Sequence, residues 1–126
     1  MQVYGPSGKT PELGTKVHVD HIRDAWAWDV TSRAGTLPNA GGEIEAHEFD
    51  FSQTAVIYDE NGVKITSFPA IHIRDGSVSY RLDWNGLSFV FGGDSAPNKW
   101  FIKEAKGADV VVHECFFTPE NWMEIA

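Results

Sequence analysis

The stretch Phe89-Val90-Phe91-Gly92-Gly93-Asp94-Ser95 decides how this chain is read. Apolar β-formers run into two glycines, an acid and a hydroxyl, and a helix-like segment follows from Pro97. This pattern predicts a buried strand that delivers one carboxylate to a sheet edge. Two further polar groups arrive in the same way. His72 follows Ile65-Thr66-Ser67-Phe68-Pro69-Ala70-Ile71, and His113-Glu114 follow Ala108-Asp109-Val110-Val111-Val112. Three strand ends each carry a potential metal ligand or proton-transfer group.

Around these ends the chain alternates between turn signals and apolar runs. Asn61-Gly62 between Ala55–Tyr58 and Val63–Phe68, and Asn85-Gly86 between Ser77–Trp84 and Leu87–Phe91, predict two tight hairpins. Glu43 to Phe49 reads as a further strand, and Met1 to Tyr4 as a short apolar entry that stops at a Gly5-Pro6-Ser7-Gly8 turn. Thr10-Pro11-Glu12 predicts a helix start, with the helix running to about Arg33 and Val19, Ile22, Trp26 and Val30 as its buried stripe. Residues 36 to 42 read as loop. Pro97 to Lys106 reads as a short helix capped by Asp94 or Ser95 and stopped by Gly107. Ala108 to His113 is nearly all apolar, the composition of a strand buried on both faces. A second helix-start signal, Thr118-Pro119-Glu120, has little chain after it and suggests truncation.

The bulk numbers narrow the function classes. The 126 residues suit one domain or a piece of one, and a hydrophobic share of 42% with five Trp argues against disorder. Eighteen acids against ten bases leave a net charge of −8, which disfavours a nucleic-acid backbone as the main partner. One cysteine makes no internal disulfide. No run approaches the roughly 20 apolar residues of a membrane span, and no signal peptide is visible. A cytoplasmic protein is the expectation, although a removed signal peptide would leave no trace.

Each polar group has a plain structural reading beside the chemical one. Asp94 could cap the following helix, and a lone histidine such as His72 is more often a satisfied core residue than a ligand. Trp26, Trp28 and Trp100 could line a pocket, but tryptophan in a small domain is usually core. Cys115 reads as a small buried residue. Taken together, imidazole and carboxylate at neighbouring strand ends form the inventory of a hydrolytic metal centre.

From Val3 to about Thr118 the chain resembles the metallo-β-lactamase superfamily, most closely its ribonuclease Z and arylsulfatase-like branch. Val3-Tyr4-Gly5-Pro6-Ser7-Gly8 looks like the strand and turn after the family's first metal motif. Phe68 to Arg81 looks like the segment whose histidine binds metal ahead of a Tyr-Arg strand. Phe91-Gly92-Gly93-Asp94-Ser95 is similar to Phe-Ser-Gly-Asp-Thr, whose aspartate bridges two metals. Ala108 to Glu114 looks like the strand ending in His-Glu-Ala-Thr, with Cys115 in place of the alanine.

The resemblance implies an α+β fold, the four-layer αββα sandwich, of which residues 1–126 would form a single partial domain, its middle portion. It implies two divalent metal ions, zinc or else manganese or iron, with His72 as a ligand of one and Asp94 bridging both. His113 would donate a proton to the leaving group, held by nearby acid groups, with Glu114 beside it in the catalytic set. The metals would lower the pKa of a bridging water and polarise the scissile group.

Two parts of the family pattern have no counterpart here: the His-x-His-x-Asp-His motif, expected ahead of Val3, and the last metal-binding histidine. Lys16-Val17-His18-Val19-Asp20-His21 lacks only the first histidine of that motif, but it lies inside the expected helix and reads as exposed helix polarity. The Asp83-Trp84-Asn85-Gly86 hairpin leaves no room for a tRNA-grasping arm. The expected substrate is therefore a small ester, sulfate ester, lactone or phosphodiester. The rival expectation is a non-catalytic fragment or module that completes no metal site without a partner, and whose uncovered sheet edges favour homo-oligomers.

Overall fold

A computed structural model describes residues 1–36, 38 and 42–115 of the chain. Along these residues run β1 (Gln2–Pro6), α1 (Thr15–Ser32), β2 (Glu45–Phe49), β3 (Ala55–Glu60), β4 (Val63–Pro69), β5 (Val78–Trp84), β6 (Leu87–Phe91), α2 (Lys99–Ala105) and β7 (Val110–Val112). The fold is α+β, with two sheets. β1 and β2 form a parallel pair, and the other strands form a five-stranded sheet in the order β3-β4-β5-β6-β7.

Both Asn-Gly hairpins form where the dipeptides predict them. Asn61 and Gly62 take φ of 53° and 76°, and Asn85 and Gly86 take 51° and 77°. Positive φ at both central residues gives the turn whose twist matches that of the flanking strands. The register that follows sets Tyr80 opposite Phe91 and Arg81 opposite Val90, so β4, β5 and β6 run antiparallel. β7 then joins β6 in parallel, with Val112 opposite Phe91. This pairing brings Gly92 and His113, which follow β6 and β7, to the same end of the sheet.

Side chains alternate between the two faces of the sheet. Phe68 and Val90, both 0% exposed, lie on the face covered by α2, where the Phe101 ring approaches Phe68 at 6.4 Å. The Arg81 guanidinium donates to the Glu104 carbonyl at the end of α2 and to both Asp83 oxygens. The opposite face meets the two-stranded sheet edge-to-face, Tyr58 on Tyr4 at 5.6 Å and Tyr80 on Phe49 at 6.3 Å. α1 packs on β1 and β2. No helix among the described residues is long and apolar enough to cross a membrane.

Several sequence expectations give way here. Gly5 and Pro6 continue β1 rather than turning it, because the parallel partner β2 aligns Gly5 with Glu48 and Pro6 with Phe49. The helix expected from Thr10 is broken: Pro11–Leu13 form one 3-10 turn, and α1 starts after Gly14. Glycine has no capping side chain, so the carboxylate of Glu48 accepts from Lys16 N–H at 2.6 Å and caps α1 from the neighbouring strand. Of the expected stripe, Val19 alone is buried; Trp26 is 61% and Trp28 80% exposed, so neither is core. In β6, Ser88 and Val90 are buried while Leu87, Phe89 and Phe91 are exposed, which is alternation and not full burial. β7, expected to be covered on both faces, is an edge strand with three exposed valines. Cys115 is exposed, not buried. Leu37, Asn39, Ala40 and Gly41 of the expected loop and the Thr118-Pro119-Glu120 signal lie outside the described residues.

Candidate functional site

The site lies where β4, β6 and β7 end. β4 stops at Pro69, which donates no N–H to the ladder, and the chain continues through Ala70-Ile71-His72. β6 stops at Phe91, and Gly92 then passes close under its neighbours. A Cβ on Gly92 would meet His113 Cδ2 at 3.0 Å and Phe101 Cε2 at 3.1 Å. Gly93 follows at φ 65°, a left-handed turn that side chains resist, and it aims Asp94 toward His72.

His72 Nε2 and Asp94 Oδ2 are 3.1 Å apart. The Arg74 N–H donates to His72 Nδ1 at 3.4 Å, so in the neutral ring Nε2 carries the proton that faces Asp94. His72 is mostly covered, its side chain 26% exposed, but that of Asp94 is 72% exposed. The carboxylate is therefore solvated, and burial does not oblige it to take a partner.

Ser95 lies at the centre of the polar contacts. It is 1% exposed. Its N–H donates to Glu114 Oε1 at 2.6 Å, and its Oγ accepts from Ile71 N–H at 3.2 Å and from Asn98 Nδ2 at 3.0 Å. The hydroxyl also donates to the Ala96 carbonyl at 3.0 Å. Ala96 N–H donates to Ile71 O at 2.8 Å, closing an antiparallel bridge. The cap of α2 is neither Asp94 nor Ser95 but Asn98, whose Oδ1 accepts from Phe101 N–H at 2.9 Å. Asn98 directly after Pro97 and three residues before Phe101 is a cap signal that was readable.

His113 stands edge-on against Phe101, with ring centroids 4.6 Å apart. Its Nδ1 lies 2.8 Å from the Glu114 carbonyl, and since a carbonyl only accepts, Nδ1 carries the proton. The main chain of Glu114, and not its carboxylate, thus holds the ring. Among the described residues His113 Nε2 is buried without a hydrogen-bond partner. His18 and His21 lie exposed on α1, as expected of helix polarity.

Bonds of about 2.0–2.2 Å to one tetrahedral ion put two donors roughly 3.3–3.6 Å apart. His72 Nε2 and Asp94 Oδ2 come within a few tenths of an ångström of that spacing and fit one edge of a metal's coordination sphere. Among the described residues no three or more His, Cys, Asp or Glu are grouped to hold a metal ion.

Comparison with known proteins agrees with the resemblance read from the motifs. The chain is 30% identical over 116 residues to Ribonuclease Z of Mycobacterium marinum, covering 90% of the chain and 38% of that protein. It is 26% identical over 120 residues to Ribonuclease Z of Ignicoccus hospitalis, covering 95% of the chain and 34% of that protein. The chain thus spans little more than a third of the length of these relatives. No family model matches it. The relationship to ribonuclease Z is distant and partial.

Proposed function

We propose that this chain, a relative of ribonuclease Z, carries part of the centre of a metal-dependent hydrolase of the metallo-β-lactamase type. The observation that carries the reading is the His72–Asp94 approach of 3.1 Å between two strand ends 22 positions apart. In this reading α1, the two sheets and α2 are layers of an αββα sandwich. His72 and Asp94 hold divalent metal, with zinc the first choice for an imidazole and a carboxylate. Metal bound there supplies an activated water and polarises the scissile group.

The chain's own residues orient and move protons. Arg74 N–H holds the plane of His72 in the metal-free chain; metal on Nε2 would move the ring proton to Nδ1 and release that contact. The ring of His113 is locked by its Nδ1 bond and by Phe101, which leaves Nε2 as the nitrogen that takes up and delivers a proton. A buried Nε2 with no partner among the described residues is unusual, and a place in proton transfer to a leaving group would account for it. The substrate classes in view are small esters, sulfate esters, lactones and phosphodiesters. The name of the two relatives favours the phosphodiester, while the net charge of −8 favours a small one over nucleic acid.

The test is metal content per chain by elemental mass spectrometry, with Asp94→Ala and His72→Ala alongside. Bound zinc that both variants lose supports the reading, and zinc content equal in all three proteins overturns it. With zinc supplied, His113→Asn should lower turnover of bis(p-nitrophenyl) phosphate about 100-fold or more without changing metal content.

A second reading has its own support in the absence of a third ligand grouped with His72 and Asp94 among the described residues. The chain then acts only with a partner that completes the centre. Substoichiometric zinc that rises to full occupancy in a complex would favour it.

A further inference from the structure

A solvent-exposed carboxylate–imidazole contact cannot hold itself together. With the Asp94 side chain 72% exposed, solvent screens its attraction to His72, and side-chain entropy offsets what is left. Something else must keep the two side chains aimed at one point. A buried network lies one residue away from each. Ser95 follows Asp94 directly and Ile71 precedes His72 directly, and these two neighbours are joined twice, by Ile71 N–H to Ser95 Oγ and by Ala96 N–H to Ile71 O. The Ser95 hydroxyl has one donor and two acceptor sites, and Ile71, Asn98 and Ala96 use all three. Its N–H is held by a carboxylate, the stronger class of hydrogen bond, at 2.6 Å.

From this we infer that Ser95 and Glu114 are positioning residues for the His72–Asp94 pair. Glu114 ties the end of β7 to the turn after β6, and Ser95 ties that turn to the segment after β4. The three strand ends become one rigid unit in which neither ligand has to be held by its own contacts. The inference rests on the reading of His72 and Asp94 as metal ligands, and it assigns Glu114 a structural hold on Asp94 in place of proton transfer. Ser95→Ala would orphan the Ile71 N–H and one Asn98 donor; Glu114→Ala would release the Ser95 N–H. Glu114 is itself exposed, so its replacement leaves the packing of the sheet intact.

The experiment uses the 126-residue chain as wild type, Ser95→Ala, Ser95→Thr, Glu114→Ala and Glu114→Gln. Two readouts need no turnover. Long-range proton–nitrogen NMR at about pH 8, where an ordinary imidazole is neutral, reports which nitrogen of His72 carries the proton. Co2+ titration by visible absorption reports binding at the pair. Wild type should show the Nε2–H form of His72, and Ser95→Ala and Glu114→Ala should shift it toward a mixture of both forms. The same two variants should weaken Co2+ binding about 10- to 100-fold, the usual cost of losing a group that orients a ligand. Ser95→Thr and Glu114→Gln, which keep the acceptors, should stay close to wild type in both readouts.

The inference is overturned if Ser95→Ala and Glu114→Ala expose the Ile71 amide to exchange yet leave the His72 tautomer unchanged. Wild-type chain that binds no Co2+ would sink the ligand reading instead. In that case the tautomer measurement decides the positioning role by itself.

Discussion

At the scale of single residues, the site depends on small groups between the chemically conspicuous ones. Asn98 is 6% exposed and joins the cap of α2 to Ser95. Asn98→Ala should lower unfolding stability by about 1–2 kcal/mol in urea titration, while Asn98→Asp, which still caps, should lose less. Gly92→Ala offers a sharper test of packing, since the added methyl would press on His113 and Phe101. It should cost about 1–3 kcal/mol and move the His113 ring resonances by NMR. His72 and Asp94 were legible as a pair of strand-end groups because apolar runs and turn residues mark where strands stop. Ser95 as a hub was not legible, because its partners Ile71 and Glu114 are 24 and 19 residues away.

At the scale of elements, hairpins were the most readable and helix ends the least. Asn-Gly carries its geometry within two residues, so both turns follow from local sequence. The start of α1 is set from outside. Thr10-Pro11-Glu12 gives only one 3-10 turn, and the real N-terminus at Thr15 is held by Glu48 from β2 and by the Thr15 hydroxyl, which donates to the Pro6 carbonyl at 2.9 Å. Glu48→Ala should fray that end, with a loss of about 1 kcal/mol in stability and faster amide exchange at Lys16 and Val17. β7 misled for the opposite reason. Its composition suits a strand covered on both faces, yet Val110, Val111 and Val112 are all exposed at a sheet edge. Such an edge favours self-association. Light scattering should show apparent mass rising with concentration for wild type, and less so for Val111→Lys.

At the scale of the whole molecule, charge and layering set the behaviour. Bonds from the Ser88 N–H, then from its hydroxyl, hold the Asp109 carboxyl below the usual range, and the Ser52 hydroxyl does the same for Asp50. A depressed carboxyl stabilises the fold above its unfolded pKa of about 3.9, and this contribution is lost as pH falls through the lower folded value. Melting temperature should therefore fall progressively below about pH 4, and Asp109→Asn should flatten that decline. Through its family resemblance the sequence implied the α+β class, and its own residues determined the two hairpins and the arrival of His72, Asp94 and His113 at strand ends. Those features rest on alternation and turn chemistry, which act within a few residues. Only the tertiary structure decided that β6 and β7 lie in parallel, that Ser95 and Glu114 join three strand ends, and which apolar faces stay uncovered. These outcomes depend on pairing between segments nineteen or more positions apart, and no local preference encodes which of them will meet.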